Sequence, residues 1–225
     1  SMLPSPNERK LESLDGVTLD YDENKPLKAF VFKTVADPFV GKISMLKIVQ
    51  GKLTAGVSAV NANTGETVRI GKLLKLTGKK QEEISEALAG DIAAVTKLEA
   101  STNDTLCAPE AVAALAPTEF PQACYFRAVN LAGGGDEGKL SGAIRRLLEE
   151  DPTLKYVHNH ETHQRMIGGL GDQHLDVAAA KLKSKFGMEV KMSEPKIAYR
   201  EAIRKPVTIE SKYKKQSGGH GQYGH

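Results

Sequence analysis

The chain has 225 residues, of which 40% are hydrophobic and 26% charged, and its formal net charge is +3. Such a composition is typical of a globular protein with about two domains. The two cysteines, Cys107 and Cys124, form neither a disulfide framework nor a Cys-x-x-Cys metal motif, and no apolar run approaches the roughly 18 residues of a membrane span. We therefore expect a cytoplasmic protein without disulfides or a membrane anchor.

The first half of the chain predicts a linker followed by a β-barrel. Residues 1–27 show no sustained periodicity, which indicates a linker from a preceding domain. Residues 28–116 contain short β-rich runs that are separated by turn residues: Ala29–Val35, Lys42–Gln50, Val57–Asn61, Thr67–Leu76, Ile92–Leu98 and Thr105–Cys107. Short strands with no long helix between them predict a small closed barrel.

Residues 117–194 follow a different pattern, strand-helix-strand-strand-helix-strand. The predicted helices are Glu137–Glu150 and Asp172–Phe186, each with one apolar stripe. The predicted strands are Ala123–Asn130, Lys155–Asn159, Arg165–Gly168 and Met188–Met192. This βαββαβ order predicts an α+β ferredoxin-like sandwich, in which Asp172 caps the second helix and Gly187 ends it.

The last segment, 195–225, predicts the truncated start of a further α+β domain. It includes a strand-like run, Val207–Tyr213, and then a glycine-rich stretch. Residues 196–225 carry seven Lys or Arg against two Glu, a net charge of +5. This excess indicates an anionic partner, for which nucleic acid is the commonest, although a solvated charged face would have the same composition. The candidate contacts to RNA phosphate are Lys212, Lys214 and Lys215.

Two glycine motifs resemble nucleotide sites incompletely. Gly133–Lys139 has the spacing G-x-x-x-x-G-K, but Leu140 follows where a phosphate-binding loop needs Ser or Thr for magnesium. Gly169–His174 begins as G-x-G and lacks the final glycine. We interpret the first as a strand-to-helix turn and the second as glycines that allow close helix-strand packing.

The remaining chemistry-bearing residues show no recognisable active site. His158, His160 and His163 could contribute to a metal site, but solvated loop histidines are the favoured interpretation. No Ser/His/Asp or Cys/His pattern is present. We expect no catalytic residues, no bound cofactor and no metal in this chain.

Several motifs together resemble bacterial elongation factor G and its paralogues, which are translational GTPases. In the barrel region they are Asp37-Pro-Phe-Val-Gly-Lys42, Gly51-Lys-Leu-x-x-Gly56, Arg69-Ile-Gly71, Ala89-Gly-Asp-Ile-Ala-Ala94 and Asp104-Thr-Leu-Cys107. Further along they are Glu150-Asp-Pro152, Gly168-Gly-Leu-Gly171 with His174-Leu-Asp176, Glu194–Glu201 and Gln216–Gly224. The match runs over nearly the whole chain and begins, after Leu3-Pro-Ser-Pro6, where the GTPase domain of the family ends.

The resemblance implies the second, third and beginning of the fourth domain of a ribosome-dependent GTPase that promotes translocation of tRNA and mRNA. It places GTP and magnesium in a GTPase domain outside this chain. It also implies contacts with ribosomal RNA, ribosomal protein S12 and the tRNA/mRNA complex, with the chain itself a monomer. Asp151, Thr153 and His174 match positions lining the pocket where fusidic acid traps the family on the ribosome.

Two alternatives remain open. One is a stand-alone RNA-binding protein, and the other is a ribosome-protection or recycling factor without translocase activity.

Overall fold

The computed structural model describes residues 5, 8, 11–37, 40–78 and 80–225. The chain divides into two compact units, Ser1–Pro195 and Lys196–His225. Among the described residues, no helix combines the length and the apolar character needed to cross a membrane.

A short hairpin precedes the barrel. β1 (Leu11–Glu12) pairs antiparallel with β2 (Thr18–Leu19). Leu19, which is 2% exposed, packs with Val49 and Leu115. The sequence pattern predicted only a linker here, because strands of two residues are too short to show a period of two.

The next ten strands form one curved β structure. They are β3 (Lys28–Asp37), β4 (Gly41–Gln50), β5 (Lys52–Thr54), β6 (Ser58–Asn61), β7 (Thr67–Arg69), β8 (Leu73–Thr77), β9 (Lys80–Ile84), β10 (Glu86–Leu88), β11 (Ile92–Thr96) and β12 (Thr105–Cys107). Eight of them lie in the order β7-β6-β12-β3-β4-β11-β8-β9, and β5 pairs with β10. Leu53 of β5 and Ala87 of β10 share one core with Leu46 and Val95 of the larger sheet, so both ladders enclose the same interior.

We call this β structure the barrel domain, and its β-barrel-like fold agrees with the predicted class. The predicted run Thr67–Leu76 is two strands, β7 and β8, with a break at 70–72. β5, β9 and β10 were not predicted. β9 is Lys-Gln-Glu-Glu-Ile, almost all exposed, and shows no apolar alternation.

The sandwich domain contains four strands and two helices. They are β13 (Tyr125–Leu131), α1 (Glu137–Glu150), β14 (Lys155–Asn159), β15 (Gln164–Gly169), α2 (Asp172–Phe186) and β16 (Val190–Ser193). The antiparallel order β14-β15-β13-β16 is that of a ferredoxin-like sheet. Leu140, Ile144 and Leu147 of α1 and Leu175 and Leu182 of α2 form a single buried core with Val129 and Ile167 of the sheet.

The ends of α2 confirm one predicted cap and correct the other. Gly187 ends the helix at φ 66°, and its N–H donates to the carbonyls of Leu182 and Lys183. The residue before the first turn is Gly171, which supplies no side-chain cap. Asp172 is already helical, and its Oδ1 accepts a hydrogen bond from the Tyr125 hydroxyl at 3.3 Å. Asp172 therefore fastens the helix to β13 and does not cap it.

The second compact unit contains one hairpin, β17 (Tyr213–Ser217) with β18 (His220–Gly224). The predicted strand Val207–Tyr213 is wrong: residues 207–212 form no regular element, and Tyr213 begins β17. Val207 and Ile209, whose apolar alternation indicated a strand, are 69% and 79% exposed. Within residues 196–225, no strand pairs with this segment.

The glycines before α2 allow close packing, as the sequence predicted. A Cβ on Gly168 would lie 2.4 Å from the Phe126 ring on the neighbouring strand. A Cβ on Gly169 would lie 2.9 Å from both His174 Nδ1 and Leu175 Cδ2. Strand β15 and helix α2 can approach this closely only because both positions lack a side chain.

Gly168→Ala should destabilise the protein by about 1–3 kcal/mol, because the added methyl group overpacks the Phe126 ring. Gly171→Ala is the matched control, since nothing lies within 4 Å of its Cβ position and its φ of 173° suits any residue. Urea denaturation would measure both free energies of unfolding. Equal values for the two variants would contradict the packing argument.

Candidate functional site

The C-terminal end of α1 carries an unusual concentration of negative charge. Glu149, Glu150 and Asp151 are consecutive, and the last turn has no basic residue. Carboxylates at this end of a helix face the negative end of the helix dipole, which is unfavourable. Cations must therefore come from other elements, and they come from both domains.

Glu150 connects the barrel domain to both helices of the sandwich domain. Its side chain is 10% exposed. Oε1 accepts a hydrogen bond from Lys181 Nζ at 2.9 Å, and Oε2 accepts one from Lys185 Nζ at 2.6 Å. Oε2 also accepts from the backbone N–H of Ala36 in β3 at 3.2 Å, while Lys185 Nζ donates to the Ala36 carbonyl at 3.2 Å. One carboxylate thus joins α1, α2 and the barrel.

These contacts hold Glu150 ionised. Burial raises the pKa of the Glu150 carboxyl, but the hydrogen bonds from Lys185, Lys181 and Ala36 outweigh burial and leave the pKa below its ordinary value. Beside it, Lys42 Nζ of β4 lies 3.5 Å from Glu149 Oε2, and this pair is more open to solvent. The buried contact fixes the junction, and the outer pair adds little.

Asp151, the next residue, forms a second cluster with Thr153 and His174. Asp151 Oδ1 accepts hydrogen bonds from the Thr153 hydroxyl at 2.5 Å and from the Thr153 N–H at 3.0 Å. His174 Nε2 lies 2.9 Å from Asp151 Oδ2. Burial raises the pKa of the Asp151 carboxyl, but hydrogen bonds from Thr153 and His174 bring it below its ordinary value.

The contacts of His174 define its tautomer. The N–H of Leu170 donates to Nδ1 at 3.0 Å, so Nδ1 carries no proton. The ring hydrogen therefore lies on Nε2 and is donated to Asp151. His174 thereby ties the end of α1 to the turn between β15 and α2, and Gly169 leaves the space that its ring occupies.

The structure brings together the three residues selected by the resemblance, Asp151, Thr153 and His174. Glu150, Lys181, Lys185 and Ala36 were not predicted as site residues. The sequence did contain a signal for them, because three consecutive acidic residues at the C-terminal end of a helix require nearby cations or hydrogen-bond donors. Lys214 and Lys215 lie on β17 opposite Tyr223 and Gln222, and Lys212 Nζ lies 5.9 Å from the centre of the Tyr223 ring.

The other candidate motifs occupy ordinary structural positions. Asp136, at the end of the Gly133–Gly135 loop, caps α1 by accepting hydrogen bonds from the N–H groups of Gly138 and Lys139. His158 and His160 contact each other edge to face with ring centres 4.6 Å apart. Within the described ranges, no three His, Cys, Asp or Glu residues are grouped so that they could hold a metal ion. The geometry around Glu150 and Asp151 serves to join elements, and we assign it no bond-making role.

Three family models match consecutive parts of the chain. They are described as Elongation factor G domain 2, over residues 26–109, Elongation Factor G, domain III, over 120–194, and Elongation factor G, domain IV, over 195–225. The chain belongs to the elongation factor G family. A crystal structure of a protein from Thermus thermophilus is also similar, with 36% identity and a TM-score of 0.75. The match covers 99% of this chain and 32% of the Thermus protein, so the chain spans about a third of that relative.

In elongation factor G terms, Glu150 joins domains II and III. Glu150→Ala should lower the free energy of unfolding by about 1.5–3 kcal/mol, since it leaves Lys181, Lys185 and Ala36 without their shared acceptor. Glu149→Ala is the matched control, because its single pair with Lys42 is partly solvated and should contribute less than about 1 kcal/mol. Thermal denaturation of both variants checks this, and an equal loss would contradict the role of Glu150.

The two depressed pKa values predict a loss of stability in acid. Glu150 and Asp151 titrate below their ordinary values of 4.5 and 3.8, so near those values the folded chain binds fewer protons than the unfolded chain. The stability they contribute is complete above about pH 4.5 and is lost as the pH falls through the folded pKa values. In the double variant Glu150→Gln/Asp151→Asn, the urea midpoint should fall less between pH 5 and pH 3 than it does in the parent protein. A parallel decline in both proteins would exclude these carboxyls as its source.

Proposed function

We propose that this chain forms the ribosome-binding part of a translational GTPase that promotes the movement of tRNA and mRNA. GTP and magnesium would bind a separate GTPase domain, and this chain would transmit the resulting rearrangement. The main support is the family membership, with domains II, III and IV matched in consecutive order.

The Glu150 junction supports a mechanical role. A rearrangement passes between domains efficiently when they move as one body. Here a nearly buried carboxylate contacts the backbone of β3 and two lysines of α2 at once. A push on the barrel would therefore reach both helices of domain III.

Asp151, Thr153 and His174 would form the part of domain III that faces the GTPase domain and ribosomal protein S12. The Asp151–His174 contact fixes the Gly169–Gly171 turn, so a force on that turn would be carried directly to α1. The fusidic acid pocket at these residues is part of the same proposal. The neighbouring Pro152 lines a cleft of about 450 Å³ with Phe120 and Gln122, and Asp151, Thr153 and His174 are not among its lining residues.

Lys212, Lys214 and Lys215 would contact ribosomal or messenger RNA. Their exposed positions beside and along β17 suit contact with phosphates, and the segment 196–225 carries excess positive charge. Phosphate contacts of this kind release counterions, which makes binding depend strongly on salt.

Co-sedimentation of the chain with 70S ribosomes over a salt series tests this proposal. Replacing Lys212, Lys214 and Lys215 with Ala should weaken binding and make the slope of log affinity against log salt shallower by about 2–3, because up to three phosphate contacts are lost. The matched control replaces the same three lysines with Arg, which keeps the charge. Failure of the parent chain to bind ribosomes, or equal slopes for all three proteins, would contradict the proposal.

A toeprinting assay with the complete protein that contains this chain distinguishes translocation from the alternatives. Forward movement of the messenger by one codon supports translocase activity. Splitting of ribosomes without movement would support a recycling factor.

A further inference from the structure

A groove on the helical face of domain III is not explained by the Glu150 junction or by the His174 cluster. Its lining residues are Lys139, Gly142, Ala143, Arg146, Phe186 and Met188, and its volume is about 350 Å³. We call it the helix groove. At one end it shares Lys139 and Met188 with a hollow of about 310 Å³ beside the Gly133–Gly135 loop. At the other end it shares Arg146 and Phe186 with a cleft of about 230 Å³ against β3 and β4.

The groove presents two positive charges. Lys139 and Arg146 are seven residues apart on α1, so they lie on one face about 10 Å apart along the helix axis. Within the part of the chain that the structure describes, neither cation has a carboxylate within ion-pair distance. The surrounding acids are engaged elsewhere: Asp136 caps α1, Glu137 pairs with Arg165, Glu149 pairs with Lys42, and Glu189 pairs with Lys183.

The floor of the groove contains a glycine that no internal contact requires. Gly142 lies in the middle of α1, where glycine is less favourable than every ordinary residue except proline. Nothing lies within 4 Å of the position its Cβ would take, so the fold itself would accept alanine. A glycine at such a place lets another backbone approach the helix closely.

We propose that the helix groove binds an extended acidic peptide segment of a partner protein. In the polyproline II conformation, residues i and i+3 lie on one side of a peptide about 9 Å apart, which matches the spacing of Lys139 and Arg146. Two acidic residues at that spacing would contact the two cations. Apolar residues between them would cover Phe186 and Met188, which are half-buried. The cations and the apolar floor thus specify a peptide of mixed acidic and apolar character.

The same surface is poorly suited to a nucleic acid backbone. A phosphate chain is negatively charged at every nucleotide, and it would pass the carboxylates of Asp136, Glu149 and Glu189 as well as the two cations. A peptide places charge only at chosen positions and avoids that repulsion. The binding is therefore distinct from the RNA contacts proposed for residues 212–215.

The test is an NMR titration of the ¹⁵N-labelled chain with the peptide acetyl-Glu-Pro-Leu-Glu-Pro-Leu-amide. We expect shifts concentrated at the amides of Gly142, Arg146 and Met188. Arg146→Glu and Lys139→Glu should each weaken binding at least tenfold. Arg145→Glu is the matched control: it changes the adjacent exposed arginine, which does not line the groove, and should alter the affinity less than twofold.

Gly142→Ala separates binding from folding. It should raise the melting temperature, since alanine favours the helix, and weaken peptide binding at least fivefold because its methyl group occupies the floor. Binding that survives Arg146→Glu, or an unchanged affinity in Gly142→Ala, would overturn the proposal. So would shifts at these amides with oligouridylate and none with the peptide, which would identify the groove as an RNA site.

Discussion

The carboxylate of Glu150 is the contact on which the arrangement of domains II and III depends. It accepts hydrogen bonds from Lys181, Lys185 and the Ala36 N–H. His174 lies seven and eleven residues before those lysines, so all three side chains share one stripe of α2. Glu150 and Asp151 bind this stripe together, and these two adjacent carboxylates therefore tie α2 to the end of α1, in addition to the apolar core that the two helices share.

This arrangement makes the end of α1 in domain III dependent on domain II. In an isolated α1 the three terminal acids would oppose the helix dipole and repel one another. In the folded chain, Lys42 and the Ala36 N–H of the barrel supply part of the compensation. Separating the domains would remove these two barrel contacts, and only the cations of α2 would then compensate the acids. A linkage of this kind suits two domains that move as one body.

The features that were predicted correctly depend on local sequence patterns. The features that were predicted wrongly or missed depend on a partner residue far along the chain. Helices α1 and α2 begin and end at the predicted residues, because their stripes and Gly187 are local signals. The Asp172 cap was wrong because Tyr125, 47 residues earlier, holds that carboxylate. Glu150 was missed for the same reason, and because the barrel contributes only main-chain atoms of Ala36, which leave no trace in side-chain identity.

The position of β12 in the barrel has a consequence for how the protein is made. This strand of three residues lies between β3 and β6, with Leu106 opposite both Ala29 and Asn61. Until Thr105–Cys107 has left the ribosome during synthesis, the sheet is split there, and the nascent barrel exposes strand edges on both sides of the gap. Domain III is synthesised after this point, so every strand of the barrel has been made before Glu150 can contact Ala36.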